Sequence, residues 1–272
     1  MLKVTIEDLK KLYLPPKNSH KGDNGKLTII GGSHLFHGAS LWALKTASRI
    51  VDMVFYAGVQ ENNDLIQKLK SDLYDFIAVD REKVEEYIKE SDAVLIGPGL
   101  PREEGRVREE ESTRHLTQRL LTKFPDKKWI IDAGSLTEME PDWLTSNCLI
   151  TPHKKEFETL FRVDATEENI KQMSQQHNCI ILFKGPTDII CSPTECKLAE
   201  GGNAGMTKGG TGDVLAGLVA ALACKNDLFL SAAAGSLINK KAGENLAERV
   251  GYYFNASDLT DEIPRVLKEL LE

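Results

Sequence analysis

Gly201-Gly202-Asn203-Ala204-Gly205-Met206-Thr207-Lys208-Gly209-Gly210-Thr211-Gly212-Asp213 runs directly into an apolar segment, Val214 to Cys224. Six glycines in thirteen residues cannot pack a core. They can take positive φ and let backbone N–H groups converge at the start of the helix that follows. A helix start carries unsatisfied donors and partial positive charge, so phosphate is its natural ligand. Asp213 then stands where it can take a proton from a reacting hydroxyl. A plainer reading stands beside this one, because an acid in a first turn is favoured by the helix dipole without doing any chemistry.

Upstream of this stretch, Ile180-Ile181-Leu182-Phe183, Asp188-Ile189-Ile190-Cys191 and Glu195 to Ala199 are three short strands separated only by turns. That spacing predicts an antiparallel edge. Further upstream the pattern is strand, loop, helix. Leu27–Ile30 ends at Gly31-Gly32-Ser33, and Gly38-Ala39-Ser40 opens a helix with Leu41, Leu44, Ser48 and Val51 on one face. Met53–Ala57, Phe76–Val79 and Ala93–Ile96 read as strands, with helices at Asp64–Leu73 and Val84–Ile88 between them. Arg102 to Phe124 reads as one solvated helix with an apolar stripe, carrying Glu109, Glu110 and Glu111 in a row. Trp129–Ile131 and Asn147–Ile150 are strands, and Glu156–Phe161 and Thr166–His177 are helices, the second capped by Thr166. Downstream, Val214–Ala223 and Ala232–Leu246 read as buried helices and Asp258–Leu271 as an amphipathic one. Alternating strands and helices predict an α/β fold, with a mainly parallel sheet covered on both faces.

The 272 residues, 41% of them hydrophobic, are enough for one large core, and residues 1–272 read as a single domain. A formal net charge of −7 argues against a general nucleic-acid surface. No basic leader, cleavage site or eighteen-residue apolar run is present, so the expected location is cytoplasmic, away from membranes. The cysteines at 148, 179, 191, 196 and 224 form no Cys-x-x-Cys pair and have no histidine at zinc spacing, so they read as reduced core residues.

The polar and glycine clusters that follow strands are Gly31-Gly32-Ser33, Gly97-Pro98-Gly99, Asp132-Ala133-Gly134, Thr151-Pro152-His153, Lys184-Gly185 and Gly209 to Asp213. In a doubly wound sheet these loops share one cleft, with Lys184 near phosphates and Asp213 near the acceptor. No Walker sequence occurs, and no Gly-x-Gly-x-x-Gly opens the first helix, which disfavours Walker-type NTPases and ordinary Rossmann dehydrogenases.

In order along the chain, Lys21-Gly22-Asp23-x-Gly25, Gly31-Gly32-Ser33, Gly38-Ala39, Gly97-Pro98-Gly99-Leu100, Asp132-Ala133, Thr151-Pro152-His153-x-x-Glu156, Lys184-Gly185 and Asn203-x-Gly205-Met206-x-x-Gly209-Gly210-x-Gly212-Asp213-Val214-Leu215 resemble the ribokinase-fold NAD(P)H-hydrate dehydratases, over about residues 20–250. The resemblance implies a ribokinase-like fold and a repair enzyme. Such an enzyme dehydrates the S form of hydrated NADH and NADPH (NADHX and NADPHX) at the expense of ADP or ATP, with Mg²⁺. It implies that Ala39, Gly99 and His153 line the hydrate site. Lys184, Gly185, Pro186, Thr187 and Asp188 hold the nucleotide with the Gly209, Gly210, Thr211 and Gly212 turn, and Asp213 contacts the hydrate as base. Metal ligands are not implied. The resemblance further implies a homo-oligomer, and a separate epimerase, since residues 1–20 are too few to encode one. A hydroxymethyl-pyrimidine or hydroxyethyl-thiazole kinase of the same fold, and a silent nucleotide-binding protein, are the alternatives. The chain departs from the family pattern at Ile50-Val51-Asp52, where a Gly-Ala-Gly turn is usual, and at Pro101, where a glycine is usual.

Overall fold

The computed structural model describes residues 1–69, 73–102 and 112–271. In chain order the described elements are β1 (Leu2–Lys3), α1 (Ile6–Leu9), β2 (Lys26–Ile30), α2 (Gly38–Ala47), β3 (Met53–Ala57), α3 (Gln60–Leu69), β4 (Ile77–Ala78), α4 (Val84–Glu90), β5 (Ala93–Ile96), α5 (Thr113–Lys123), β6 (Lys128–Ile131), α6 (Ala133–Glu138) and β7 (Cys148–Ile150). Then follow α7 (Lys154–Phe161), α8 (Glu167–Gln176), β8 (Ile180–Phe183), β9 (Asp188–Cys191), β10 (Cys196–Ala199), α9 (Thr211–Ala223), α10 (Leu228–Val250) and α11 (Ala256–Leu271).

The strands form one sheet in the order β1-β10-β9-β8-β7-β6-β5-β2-β3-β4. From β4 to β8 every pairing is parallel, and β9 alone runs against its neighbours β8 and β10. The antiparallel meander is therefore as expected, but β1 pairs parallel to β10 and takes the sheet edge from it. The chain leaves β2 in one direction to β3 and β4 and in the other to β5, so the order reverses between β2 and β5. Open α/β sheets bind ligands at such a switch point, beyond the strands' C-terminal ends.

Alternation along each strand divides the core into two layers. Leu27, Ile29, Leu95, Ile130, Leu149, Leu182 and Ile190 pack with residues of α2, α9, α10 and α11. Ile30, Ile96, Trp129, Ile131, Ile150 and Ile181 pack with residues of α4, α5, α7 and α8. Helix α9 is buried almost throughout because it lies between α2, α10 and the sheet. The small residues permit this: a Cβ on Gly217 would stand 2.4 Å from the Ala43 carbonyl oxygen.

Several boundaries differ from the sequence reading. Helix α3 begins at Gln60, and α10 begins at Leu228 because Asp227 caps it, accepting from the Leu230 amide at 2.8 Å. The buried stripe of α2 is Ala43, Leu44 and Ala47, facing α9, while Leu41 stays half-exposed. Ala133 and Gly134, read as part of a loop after β6, open a helix that runs to Glu138. Ser112 caps α5, and the expected extension of that helix back to Arg102, with the triple glutamate, lies outside the described residues. The cysteine reading needs correcting too. Cys191 and Cys196 stand opposite one another across the β9–β10 turn and form a disulfide, whereas Cys148, Cys179 and Cys224 are free and buried as expected. The departure at Asp52 has a local purpose: its carboxylate accepts from the Gly22 and Asn24 amides at 2.8 and 3.0 Å and closes the turn before β2. Partial burial works against its charge, but those hydrogen bonds outweigh it and hold the acid below its ordinary range.

Candidate active site

The C-terminal ends of β2, β5, β6, β7 and β8 point the same way, and each delivers a polar or glycine cluster to one rim. At the switch point the Gly32 amide donates to the Pro98 carbonyl at 2.8 Å. Gly99, at φ +73°, lies against Gly32 and the Phe36 carbonyl, where a Cβ would come within 2.6 Å. Ala39 sits half-buried in the first turn of α2, next to Ser40, whose hydroxyl meets the buried Tyr56 hydroxyl at 2.8 Å. Asn62 donates to the same phenol at 3.0 Å and contacts His37, bracing the loop that carries Ala39. Gly97 joins this wall to the next one, because a Cβ there would stand 1.8 Å from the Asp132 carbonyl oxygen.

A group of charged side chains occupies the centre. Lys184 follows β8, and its amide donates to the Pro152 carbonyl at 2.9 Å, carrying the β7–β8 register on to a bridge with His153. Its ammonium lies 2.9 Å from Asp132 Oδ1 and 3.9 Å from Glu156 Oε2. Thr151 donates its hydroxyl to Asp132 Oδ1 at 2.7 Å. Both carboxylates are buried, and the lysine side chain is only 18% exposed. Burial works against the lysine's charge, yet Asp132 and Glu156 outweigh it and hold its pKa above the ordinary value. The lysine is therefore a fixed cation and not a base.

His153 caps α7. The Glu156 amide donates to His153 Nδ1 at 3.2 Å, while the His153 amide donates to Glu156 Oε2 at 2.9 Å. Because Nδ1 accepts, the neutral ring carries its proton on Nε2, and the side chain is 48% exposed.

Asp213 is the third residue of α9, whose cap is Gly210 at φ +95°. A Cβ on Gly212 would stand 3.4 Å from the Lys184 ammonium, so that cation lies against the turn. Around Gly209 there is open space: a Cβ there would meet nothing within 4 Å. First-turn amides have no partner inside a helix; that of Gly212 meets no other acceptor among the described residues, while that of Asp213 is turned to its own carboxylate. The result is one free donor, one cation and one carboxylate around an open space. Burial, then the nearby Asp132 charge and that of Glu156, push Asp213 up to about 7, against the pull of Lys184. A carboxyl in that range is suited to accepting a proton near neutrality.

Not every expected residue faces this space. Thr211 turns its hydroxyl inward to the Met206 and Lys208 carbonyls at 2.6 and 2.9 Å, so it shapes the turn. Asp188 is buried, accepting from the Gly185 amide at 2.9 Å and the Ser236 hydroxyl at 2.6 Å, with the Lys240 ammonium 3.3 Å away. Pro186 and Thr187 are exposed at the tip of that turn. Four residues given no role by the sequence reading hold the centre together: Asp132, Thr151, Glu156 and Lys240. The first three stood inside quoted motifs, Asp132 and Thr151 directly after strands and Glu156 in the first turn of α7. Lys240 carried no local signal, because it reaches the site from the middle of α10.

Gly210 tests the turn directly. An alanine Cβ would come within 2.4 Å of the Trp42 ring in a left-handed backbone conformation. Gly210→Ala is expected to destabilise the protein by about 1–3 kcal/mol and to weaken ADP binding, read by thermal melting and calorimetry. Unchanged melting and affinity would show that the turn is not held as described.

A family model described as NAD(P)H-hydrate dehydratase matches residues 27–265. The chain is 38% identical over 268 residues to the bifunctional NAD(P)H-hydrate repair enzyme Nnr of Methanocaldococcus jannaschii, covering 96% of this chain but 52% of that protein, about half its length. It is 32% identical over 281 residues to the ADP-dependent (S)-NAD(P)H-hydrate dehydratase of Cenarchaeum symbiosum, covering 96% of both. Among solved structures, the ADP/ATP-dependent NAD(P)H-hydrate dehydratase of Bacillus subtilis, co-crystallised with ATP/Mg²⁺, superposes with a TM-score of 0.83 at 25% identity over 99% of this chain and 98% of that one. The fold is accordingly ribokinase-like, and the chain belongs to the NAD(P)H-hydrate dehydratase family.

Proposed function

We propose that this enzyme dehydrates the S form of hydrated NADH and NADPH, returning the reduced coenzyme at the expense of ADP, with ATP as the alternative donor. The observation that carries the reading is the Asp213 carboxyl, poised at about 7 beside the open first turn of α9. In the proposed reaction the ring hydroxyl oxygen attacks the terminal phosphorus, the bond from that phosphorus to the bridging oxygen breaks to release AMP from ADP (or ADP from ATP), and Asp213 takes the hydroxyl proton. The Gly212 amide and the Lys184 ammonium stabilise charge on the phosphoryl oxygens. Phosphate is a better leaving group than hydroxide. Its loss, with a proton from the adjacent ring carbon, restores the dihydropyridine. His153 Nε2–H, Ala39 and Gly99 line the hydrate side, and Gly185 to Thr187 flank the nucleotide.

Among the described residues no group of three or more His, Cys, Asp or Glu side chains is arranged to hold a metal. That does not supply a protein cage. Mg²⁺ is proposed to arrive on the nucleotide phosphates with its own waters, as this ion commonly does, and no protein ligand is assigned. Residues 1–272 are read as one domain, a reading that the single sheet supports. No described helix is long and apolar enough to cross a membrane. The cytoplasm is the proposed compartment, a homo-oligomer the proposed assembly, and a separate epimerase the proposed source of further S hydrate.

The deciding experiment incubates the purified protein with NADHX, comparing ADP and ATP. Regained dihydronicotinamide absorbance with stoichiometric phosphate is the expected outcome. A stable phosphorylated alcohol without regained absorbance would mean a kinase of this fold instead.

A further inference from the structure

The centre of the site holds three carboxylates, Asp132, Glu156 and Asp213, and one ammonium, Lys184. The way that single cation is shared settles what each carboxylate can do. Asp132 has it at 2.9 Å and Glu156 at 3.9 Å, whereas no cation stands within ion-pair distance of Asp213 among the described residues. Asp132 is itself held from two sides. Thr151 donates to the same Oδ1 that receives the lysine, and the Asp132 amide donates to the Ile96 carbonyl at 3.0 Å, locking the segment against the end of β5. Gly97 is bare because the Asp132 backbone passes over it.

We propose that Asp132 is a positioning residue of this site: by taking the Lys184 ammonium into an anchored ion pair, it fixes that cation beside the Gly212 amide and out of ion-pair contact with Asp213. One cation then serves the phosphoryl group and leaves Asp213 free to accept a proton. An ammonium allowed to swing freely would pair with Asp213 and make it a weaker base. The charged groups facing Asp213 are Asp132 from the end of β6, Lys184 from the end of β8 and Glu156 from α7. The two carboxylates favour its protonated form and the lysine opposes them, so deleting Asp132 and deleting Lys184 should act in opposite directions. A merely structural role for Asp132 predicts no such opposition.

The inference rests on Asp213 being the base, and its test includes a readout independent of catalysis. Protein labelled with ¹³C at the aspartate carboxyl is titrated by NMR, the Asp213 signal being the one missing from Asp213→Asn. Asp132→Asn should lower the Asp213 midpoint by roughly one pH unit. Asp132→Glu, which keeps the charge, should leave it near the wild-type value, and Lys184→Gln should raise it. The acid limb of kcat/KM should follow the same order, and the nucleotide KM should rise in both Asp132→Asn and Lys184→Gln. An unmoved midpoint in folded Asp132→Asn, or a shift of the same sign in Lys184→Gln, overturns the proposal. Should Asp132→Asn fail to fold, Thr151→Val tests the same placement. A several-fold loss of ADP affinity together with a lowered Asp213 midpoint supports the proposal, and unchanged affinity or an unmoved midpoint overturns it. If the midpoints move as stated but no variant dehydrates NADHX, the placement stands and the activity reading falls.

Discussion

Asp213→Asn is expected to lower turnover of the hydrate by a factor of about 10² to 10⁴, the usual contribution of a positioned general base. ADP binding should survive, because the Gly212 amide and Lys184 do not depend on the carboxylate. The stability effect has a definite sign as well. The Asp213 carboxyl is raised from its ordinary 3.8 to about 7 in the fold, so between those values the folded state binds more protons than the unfolded one. Stability contributed by this group is therefore complete below its ordinary pKa and falls as pH rises towards about 7. Asparagine removes that dependence, and it also removes a negative charge from a site that already holds Asp132 and Glu156. Melting curves from acid to neutral pH should show the wild type losing ground to the variant as pH rises. Near-normal turnover in Asp213→Asn would remove this residue from the chemistry. A parallel pH dependence of melting in both proteins would show that it is not held in the crowded environment described.

The largest stability effect is expected from Lys240. Its ammonium donates to the Gly185 and Pro186 carbonyls at 3.2 and 3.0 Å and to the Gly201 carbonyl at 3.5 Å, and it pairs with Asp188 at 3.3 Å. Both side chains of the pair are 7% exposed. One buried cation thus joins the turn after β8 to the start of the glycine-rich stretch. Lys240→Met keeps most of the aliphatic volume but strands a buried carboxylate and several carbonyls, which should cost about 3–5 kcal/mol. In a chain of this size that corresponds to a melting temperature lower by roughly 10 °C. ADP affinity should fall with it, since the turn after β8 and the glycine-rich stretch, both proposed to flank the nucleotide, lose their common anchor. Adding Asp188→Asn to Lys240→Met should recover part of the loss, because the unpaired charge is then gone. A single variant that melts with the wild type would contradict the brace.

Much of the fold was legible along the chain. Strand-length apolar runs, each closed by a glycine or polar cluster, account for β2, β3, β5, β6, β7 and β8 and for their shared direction. Three strands separated only by turns foretold the meander of β8, β9 and β10. Asp213 could be placed in a helix's first turn because six glycines before an apolar run leave no other start for that helix. These are local matters, set by steric freedom at glycine and by the period of side-chain burial.

Spacing could not say which strands are neighbours. The reversal between β2 and β5, which brings Gly32 to Pro98, depends on long-range pairing. The sharing of one ammonium among Asp132, Glu156 and Asp213 depends on distances between segments from β6, α7, β8 and α9, and pKa values follow those distances and burial, not residue type. For the same reason the pairing of Asp188 with Ser236 and Lys240 could not be read along the chain. Cys191 and Cys196, which read as separate core residues, met across a turn. By itself the sequence determined that a glycine-bounded helix start carrying Asp213 would stand at the rim of a mainly parallel sheet. The tertiary structure alone decided which charges surround that carboxyl, and so why it is poised to take a proton near neutral pH.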